Sequence, residues 1–137
     1  MTTQQATTVM AVPLGAVEKR LRDVTGWPAF VSGLAAVEQL GFERYRFTLA
    51  EGGARRDVPV CVVDHPAEHR MTWRQLEGPR YTGELRLRPV DAGHTRVELR
   101  TTVDPTGFAS GLREMLGERH PTAELALQRL EELLVAG

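Results

Sequence analysis

Cysteine is nearly absent from this chain of 137 residues. Cys61 stands alone, which excludes an internal disulfide and makes a reducing cytoplasm the expected location. Lysine is as scarce: Lys19 is the one lysine among 17 basic residues. No sign of charge prevails, since 17 basic and 18 acidic residues leave a formal charge of −1. Such a balance makes no field to attract nucleic acid or an anionic membrane, and neither is an expected partner. No apolar run approaches the ~20 residues that span a bilayer, so no integral membrane segment is expected. The polar start, Met1 to Gln5, lacks the charged-then-apolar pattern of a signal peptide. Phosphate-binding glycine loops and a Ser-His-Asp arrangement are also missing. His65 and His69 flank Pro66, which opposes the helix that would bring them together, and no third ligand lies nearby. Neither a metal nor a cofactor is expected.

What is present is ordinary globular material, with 42% hydrophobic and 26% charged residues. The length suits one domain over residues 1–137 with a core of its own. Thr7 to Val12 reads as a first strand, and Pro13 opens a helix over Leu14 to Val24. Leu14, Val17, Leu21 and Val24 share one face of that helix. Thr25-Gly26 breaks it, and Trp27 to Val31 reads as a second helical turn.

From there the chain alternates. Strands are expected over Leu34 to Gly41, Phe42 to Ala50, Arg55 to Asp64, His69 to Leu76, Tyr81 to Arg88 and Thr95 to Val103, with turns rich in Gly, Pro and Asp between them. Cys61, within a Val-rich strand, is expected as a small buried hydrophobe. Tyr81, Gly83, Leu85 and Leu87 fall on one side of their strand, with Thr82, Glu84, Arg86 and Arg88 on the other. Val97, Leu99, Thr101 and Val103 oppose Arg96, Glu98, Arg100 and Thr102 in the same way. One dry and one wet face marks an antiparallel sheet covered on one side. The tail supplies the cover: Phe108, Leu112, Met115 and Leu116, then Ala123, Leu127, Leu130, Leu133 and Leu134, form one apolar stripe. The stripe keeps its phase across Pro121, which predicts one kinked helix relieved by Gly117. A helix across a curved sheet leaves space beneath it, so a hydrophobic pocket is expected.

The order of elements, strand, two small helices, six strands and a long last helix, is that of the α+β helix-grip fold. The residues match as well. Val12-Pro13, Asp23 ahead of Trp27-Pro28-Ala29-Phe30, Arg44-Tyr45-Arg46-Phe47 and Arg70-Met71-Thr72-Trp73-Arg74 resemble the polyketide cyclase/dehydrase family of the START-like superfamily. Gly83-Glu84-Leu85-Arg86-Leu87 and Thr95-Arg96-Val97-Glu98-Leu99 resemble it too. The resemblance implies a curved seven-stranded antiparallel sheet gripping the last helix, two short helices after the first strand, and a deep cavity. It implies a hydrophobic ligand, aromatic or polyketide-like, and a setting such as antibiotic biosynthesis. Members include aromatases and cyclases, lipid carriers and quinone-binding proteins, so cyclisation or dehydration and non-catalytic carriage are both open. A docking module for a protein partner is a third reading.

Alternation turns Tyr45 and Phe47 inward, with Met71, Trp73 and Gln75, while Tyr81 and Met115 join them from other elements. Ligand-contact candidates are Tyr45, Phe47, Val60, Trp73, Gln75, Tyr81, Met115 and Arg119; Tyr45 and Tyr81 are the candidates for catalysis, as donors to an enolate oxygen. The same residues would also serve as plain core, their polar ends satisfied by backbone. His120, beside Arg119, is either at the pocket mouth or an exposed helix position. The aromatases that this chain resembles carry an arginine in the strand before the Pro turn. Here Val58, Val60 and Val62 stand there, and alternation sends Arg46 and Arg74 outward. The resemblance therefore implies binding more readily than aromatase chemistry.

Overall fold

The computed structural model describes residues 2–51, 54–77, 81–103 and 122–136. Seven strands make one antiparallel sheet: β1 (Thr2–Met10), β2 (Leu34–Gly41), β3 (Arg44–Glu51), β4 (Ala54–His65), β5 (Arg70–Gln75), β6 (Tyr81–Asp91) and β7 (His94–Val103). Their spatial order is β1-β7-β6-β5-β4-β3-β2, so every neighbour follows in sequence except the first strand, which pairs with the last. Helix α1 (Leu14–Arg22) and a 3₁₀ turn (Val24–Ala29) link β1 to β2, and helix α2 (Thr122–Ala136) lies against β1 and β7. This is the helix-grip arrangement. Among the described residues no helix is long and apolar enough to cross a membrane.

The dry face is built by parity. Val58, Val60 and Val62 of β4, Leu85 and Leu87 of β6, and Val97 and Leu99 of β7 are all buried. The opposite face of the sheet carries Arg86 and Glu84 of β6 and Arg70 of β5 in a linked set of ion pairs. Those groups are at least partly exposed, so solvent screens the pairs and they add little to stability. Two register shifts, between Leu34 and Ala36 and between Gln39 and Gly41, interrupt the β2–β3 pairing and bend the outer strand. Thr95 is fully buried, and its hydroxyl donates to the Val12 carbonyl at 2.8 Å, tying the start of β7 to the end of the β1 segment.

Helix α1 follows Pro13, whose carbonyl accepts from Ala16 N–H and Val17 N–H at 3.1 and 3.2 Å. Val17 and Leu21, four apart, form its buried face. Lys19, Arg20 and Arg22 occupy its last turn, where the helix dipole favours cations. The helix stops at Arg22, two residues short of expectation, because Val24 already begins the tighter 3₁₀ turn; Val24 remains buried.

Several expected boundaries move. The first strand spans Thr2–Met10 instead of Thr7 to Val12, because β7 offers a ladder reaching back to Thr2. The third begins at Arg44, since Glu43 takes a left-handed φ of 61° at the turn and leaves Phe42 exposed. Strand β6 runs past Pro89 to Asp91, with the ladder shifting register just there, where a missing N–H is tolerated. Cys61 pairs with Arg44 and Arg74 on the outer face and is only half-buried. The first half of the expected long helix, with Met115, Gly117, Arg119, His120 and Pro121, lies outside the described residues.

Candidate functional site

Between the dry face of the sheet, the 3₁₀ turn and α2 lies a cavity of about 80 Å³, partly open to solvent. Its origin is legible in α2. Ala123, Ala126, Leu127 and Leu130 repeat at helical spacing on the face turned to the sheet, and two of these four are alanines. Short side chains hold the helix close to the sheet without filling the space beneath it. Leu127 and Leu130 are nearly fully buried, and each anchors α2 with about 1.5–3 kcal/mol of apolar burial.

The opposite wall is aromatic. Trp27 comes from the 3₁₀ turn, where Pro28 sits without disrupting the turn that Gly26 N–H closes on Asp23 at 3.0 Å. Its indole Nε1 donates to the Leu21 carbonyl at 2.9 Å, satisfying a group at the end of α1 that would otherwise lack an intrahelical partner. The ring packs edge-on against Phe47, with centroids 6.0 Å apart at 73°, and against Trp73, 5.2 Å apart at 71°. These are the T-shaped geometries that aromatic quadrupoles favour.

Trp73 lies in β5 opposite Gly83 of β6, and its indole spreads across the glycine. Gly83 in turn faces Thr101 of β7, and Thr101 faces Gln4 of β1. One inward row across four strands therefore reads Trp73, Gly83, Thr101, Gln4. Three of these four, with Tyr81 two residues before Gly83, make a neutral polar patch; apart from Ser32, the rest of the described lining is apolar. Gln4 also accepts from the Ala123 N–H at 3.4 Å and so meets the N-terminus of α2.

The patch has one unusual member. Trp73 is buried, and among the described residues its indole N–H has no hydrogen-bond acceptor. Its nearest polar neighbour is the Tyr81 hydroxyl, whose pKa this contact lowers against the larger effect of burial. Burial dominates and pushes the Tyr81 phenol up from its ordinary value, so the hydroxyl stays protonated. As a residue Tyr81 is partly exposed, but its oxygen end is stripped of water. A buried donor left unmatched costs about 1–3 kcal/mol.

Phe47, Val60, Trp73 and Tyr81 thus stand together in the cavity wall. Tyr45 and Gln75 do not. Both flank Val60 across the ladder, on the inner face that parity assigns. Gln75, however, is the last residue of β5, and its amide turns to the Glu77 carbonyl. Tyr45 lies near Asp23 and Glu43; burial first, then these two carboxylates, raise its pKa. Met115 and Arg119 lie outside the described residues. His65 and His69 turn to separate partners, Thr72 at 3.1 Å and Glu18 at 2.7 Å. Sequence reasoning missed Gln4, taken there as part of a polar leader; the period-two run Gln4, Ala6, Thr8, Met10 was the available signal.

None of the described residues lining the cavity carries a formal charge. Arg46 points away from the cavity and meets Glu38 at 3.4 Å on the surface.

The family model described as polyketide cyclase / dehydrase and lipid transport matches residues 1–134. The chain belongs to this family. Solved structures agree on its fold. A protein from Thermus thermophilus is similar with 22% identity over 98% of each chain and a TM-score of 0.79. The Zhui aromatase/cyclase from Streptomyces sp. R1128 is 22% identical, with 98% of this chain and 93% of that one covered and a TM-score of 0.78. A START superfamily protein from Mycobacterium smegmatis is 14% identical, with 98% and 97% covered and a TM-score of 0.78. No curated protein matches the sequence.

Proposed function

We propose that this chain binds an apolar, ring-bearing small molecule of the aromatic or polyketide-like kind in the cavity and carries it without transforming it. The observation that supports this reading is the uncharged lining, with two indoles and Phe47 on one wall and aliphatic side chains on the other. Cyclising a poly-β-ketone requires a base to form an enolate as well as donors to hold its oxygen. The polar patch supplies donors, in Tyr81 and Trp73, and the described lining supplies no group that is a base at neutral pH. Retention of the ligand is therefore favoured over turnover.

The cavity is smaller than the roughly 300–1,000 Å³ of pockets that enclose drug-sized ligands. A ring system enters by its narrow end, and the remainder of the molecule extends through the open side. The test is native mass spectrometry of the protein after exposure to host lysate, read together with intrinsic fluorescence. Both tryptophans of the chain line the cavity, so occupancy alters essentially the whole indole signal. A retained aromatic or isoprenoid mass with altered emission supports carriage. If the retained compound, once identified and supplied again in pure form, comes back smaller by one water, turnover is established and carriage is sunk.

A further inference from the structure

We propose that the outer face of the sheet carries a second binding site, a polar groove in which Arg74 and Arg100 hold a small soluble molecule bearing a diphosphate group. The inference goes beyond the binding reading above and does not depend on it.

The groove has a volume of about 400 Å³, within the roughly 300–1,000 Å³ of small-molecule pockets. It crosses β4 to β7, and its lining differs in kind from that of the inner cavity: Arg74, Arg100, Glu84 and the threonines 72, 82 and 102 are among its walls. Arg74 of β5 faces Thr82 of β6, which faces Thr102 of β7. In the next outward row Thr72 faces Glu84, which faces Arg100. The two arginines therefore stand at opposite corners, two strands apart, about 10 Å across the sheet and about 7 Å along it. Side chains as long as arginine reach the middle from both corners.

Among the described residues neither guanidinium has an ion-pair or hydrogen-bond partner, whereas Arg46, Arg70 and Arg86 of the same face each meet a glutamate. Glu84 stands directly opposite Arg100 in the ladder, yet its oxygens go to Arg70 at 3.3 Å and to Arg86. The acid in the groove is thus already balanced, and Arg74 and Arg100 are left without a counter-charge. Thr82, beside Arg74 and diagonal to Arg100, also has a hydroxyl with no partner among the described residues.

The class of ligand follows from these donors. Two separated guanidiniums call for an anion charged at both ends. Each guanidinium fork matches a pair of oxygens on phosphate or carboxylate. A phosphoryl group has a further acceptor oxygen for a neighbouring hydroxyl, which a carboxylate engaged by a fork lacks. A groove of this size suits a compact anion, and a long polyanion would also meet the acidic remainder of a chain whose net charge is −1.

The test is calorimetric titration of the whole chain with inorganic pyrophosphate, and with succinate as a probe that carries two carboxylates instead. Pyrophosphate should bind with one-to-one stoichiometry, more weakly as salt is added, and more tightly than succinate. Both arginines are exposed, so their replacement leaves the core intact. Arg74→Gln and Arg100→Gln should each weaken pyrophosphate by about tenfold or more, the margin of a charge-assisted hydrogen bond. Arg88→Gln, which removes an exposed arginine outside the groove lining, should leave the affinity unchanged. So should Val60→Trp, which fills the inner cavity. No binding at millimolar pyrophosphate overturns the site. Equal weakening by Arg88→Gln also overturns it, since a diffuse positive surface would then account for the binding. Loss of binding in folded Val60→Trp would move the anion to the inner cavity, and succinate binding as tightly as pyrophosphate would overturn the assignment to phosphoryl groups.

Discussion

The edge of the Trp73 indole lies where a side chain on Gly83 would be: a Cβ built on Gly83 would stand 2.0 Å from Cε2 of Trp73 and 2.3 Å from its Nε1. The glycine is the complement of the ring across the β5–β6 ladder. Gly83→Ala should therefore destabilise the fold by about 1–3 kcal/mol, the usual cost of overpacking. In a Trp73→Leu background the same alanine should cost far less, because the clash is gone. Denaturant unfolding of the four proteins of this cycle measures the coupling. An equal cost of alanine in both backgrounds would refute the complementarity.

Val60 is wholly buried at the centre of β4 and lines the cavity. Val60→Trp should fill the cavity and abolish small-molecule binding in calorimetry, at a stability cost of about 1–3 kcal/mol. Retained affinity in a folded variant would place the ligand elsewhere.

Tyr45 and Tyr81 are the two tyrosines of the chain, and burial raises both phenols above the ordinary value of 10.0. In the folded protein, less than half of the tyrosine should be ionised at pH 10.0. The sign follows from proton linkage. The native state holds these protons more tightly than the unfolded chain, so their contribution is intact below the unfolded pKa and is lost as pH rises through the folded values. Tyrosinate absorbance of native and urea-unfolded protein tests this, and coincident titration curves would contradict it. Tyr81→Phe should flatten the alkaline fall in stability more than Tyr45→Phe does, since Tyr81 is the more deeply desolvated.

Thr95 is fully buried and donates to the Val12 carbonyl at 2.8 Å. Thr95→Val keeps the shape and removes the donor, leaving a buried carbonyl unmatched. A loss of about 1–3 kcal/mol is expected in thermal or denaturant unfolding. Thr95→Ser, which restores the donor, should recover most of it. A serine variant no more stable than the valine variant would assign the cost to packing alone.

Parity made much of the fold legible before any coordinates. The faces of β6 and β7 follow from alternation, and so does the apolar row Val58, Val60, Val62. Parity gives the face of a strand and says nothing of position along it. Tyr45 and Gln75 share the inner face with Val60, yet one is drawn toward Asp23 and the other ends its strand. Cys61 was hidden by its valine neighbours, although its parity with Arg44 and Arg74 places it outside. Gln4 escaped notice because a polar segment shows no periodicity until its partner strand, nearly a hundred residues later, supplies the ladder. The unmatched Trp73 N–H is likewise invisible in sequence, since whether a donor finds an acceptor is decided by ring orientation.

The pairing of the first strand with the last also bears on how the chain is made. Thr2 meets Val103 and Met10 meets Thr95, and among the described residues β1 pairs with no other strand. During synthesis β2 to β6 can zip up by successive hairpins, while β1 waits as an unpaired strand until β7 leaves the ribosome. At about 5–20 residues per second that delay lasts several seconds. The segment is uncharged and has neither proline nor glycine, the signature of a strand prone to pair with others while it waits. The pairing of the first strand with the last thus leaves the nascent chain with an open strand edge until β7 is made.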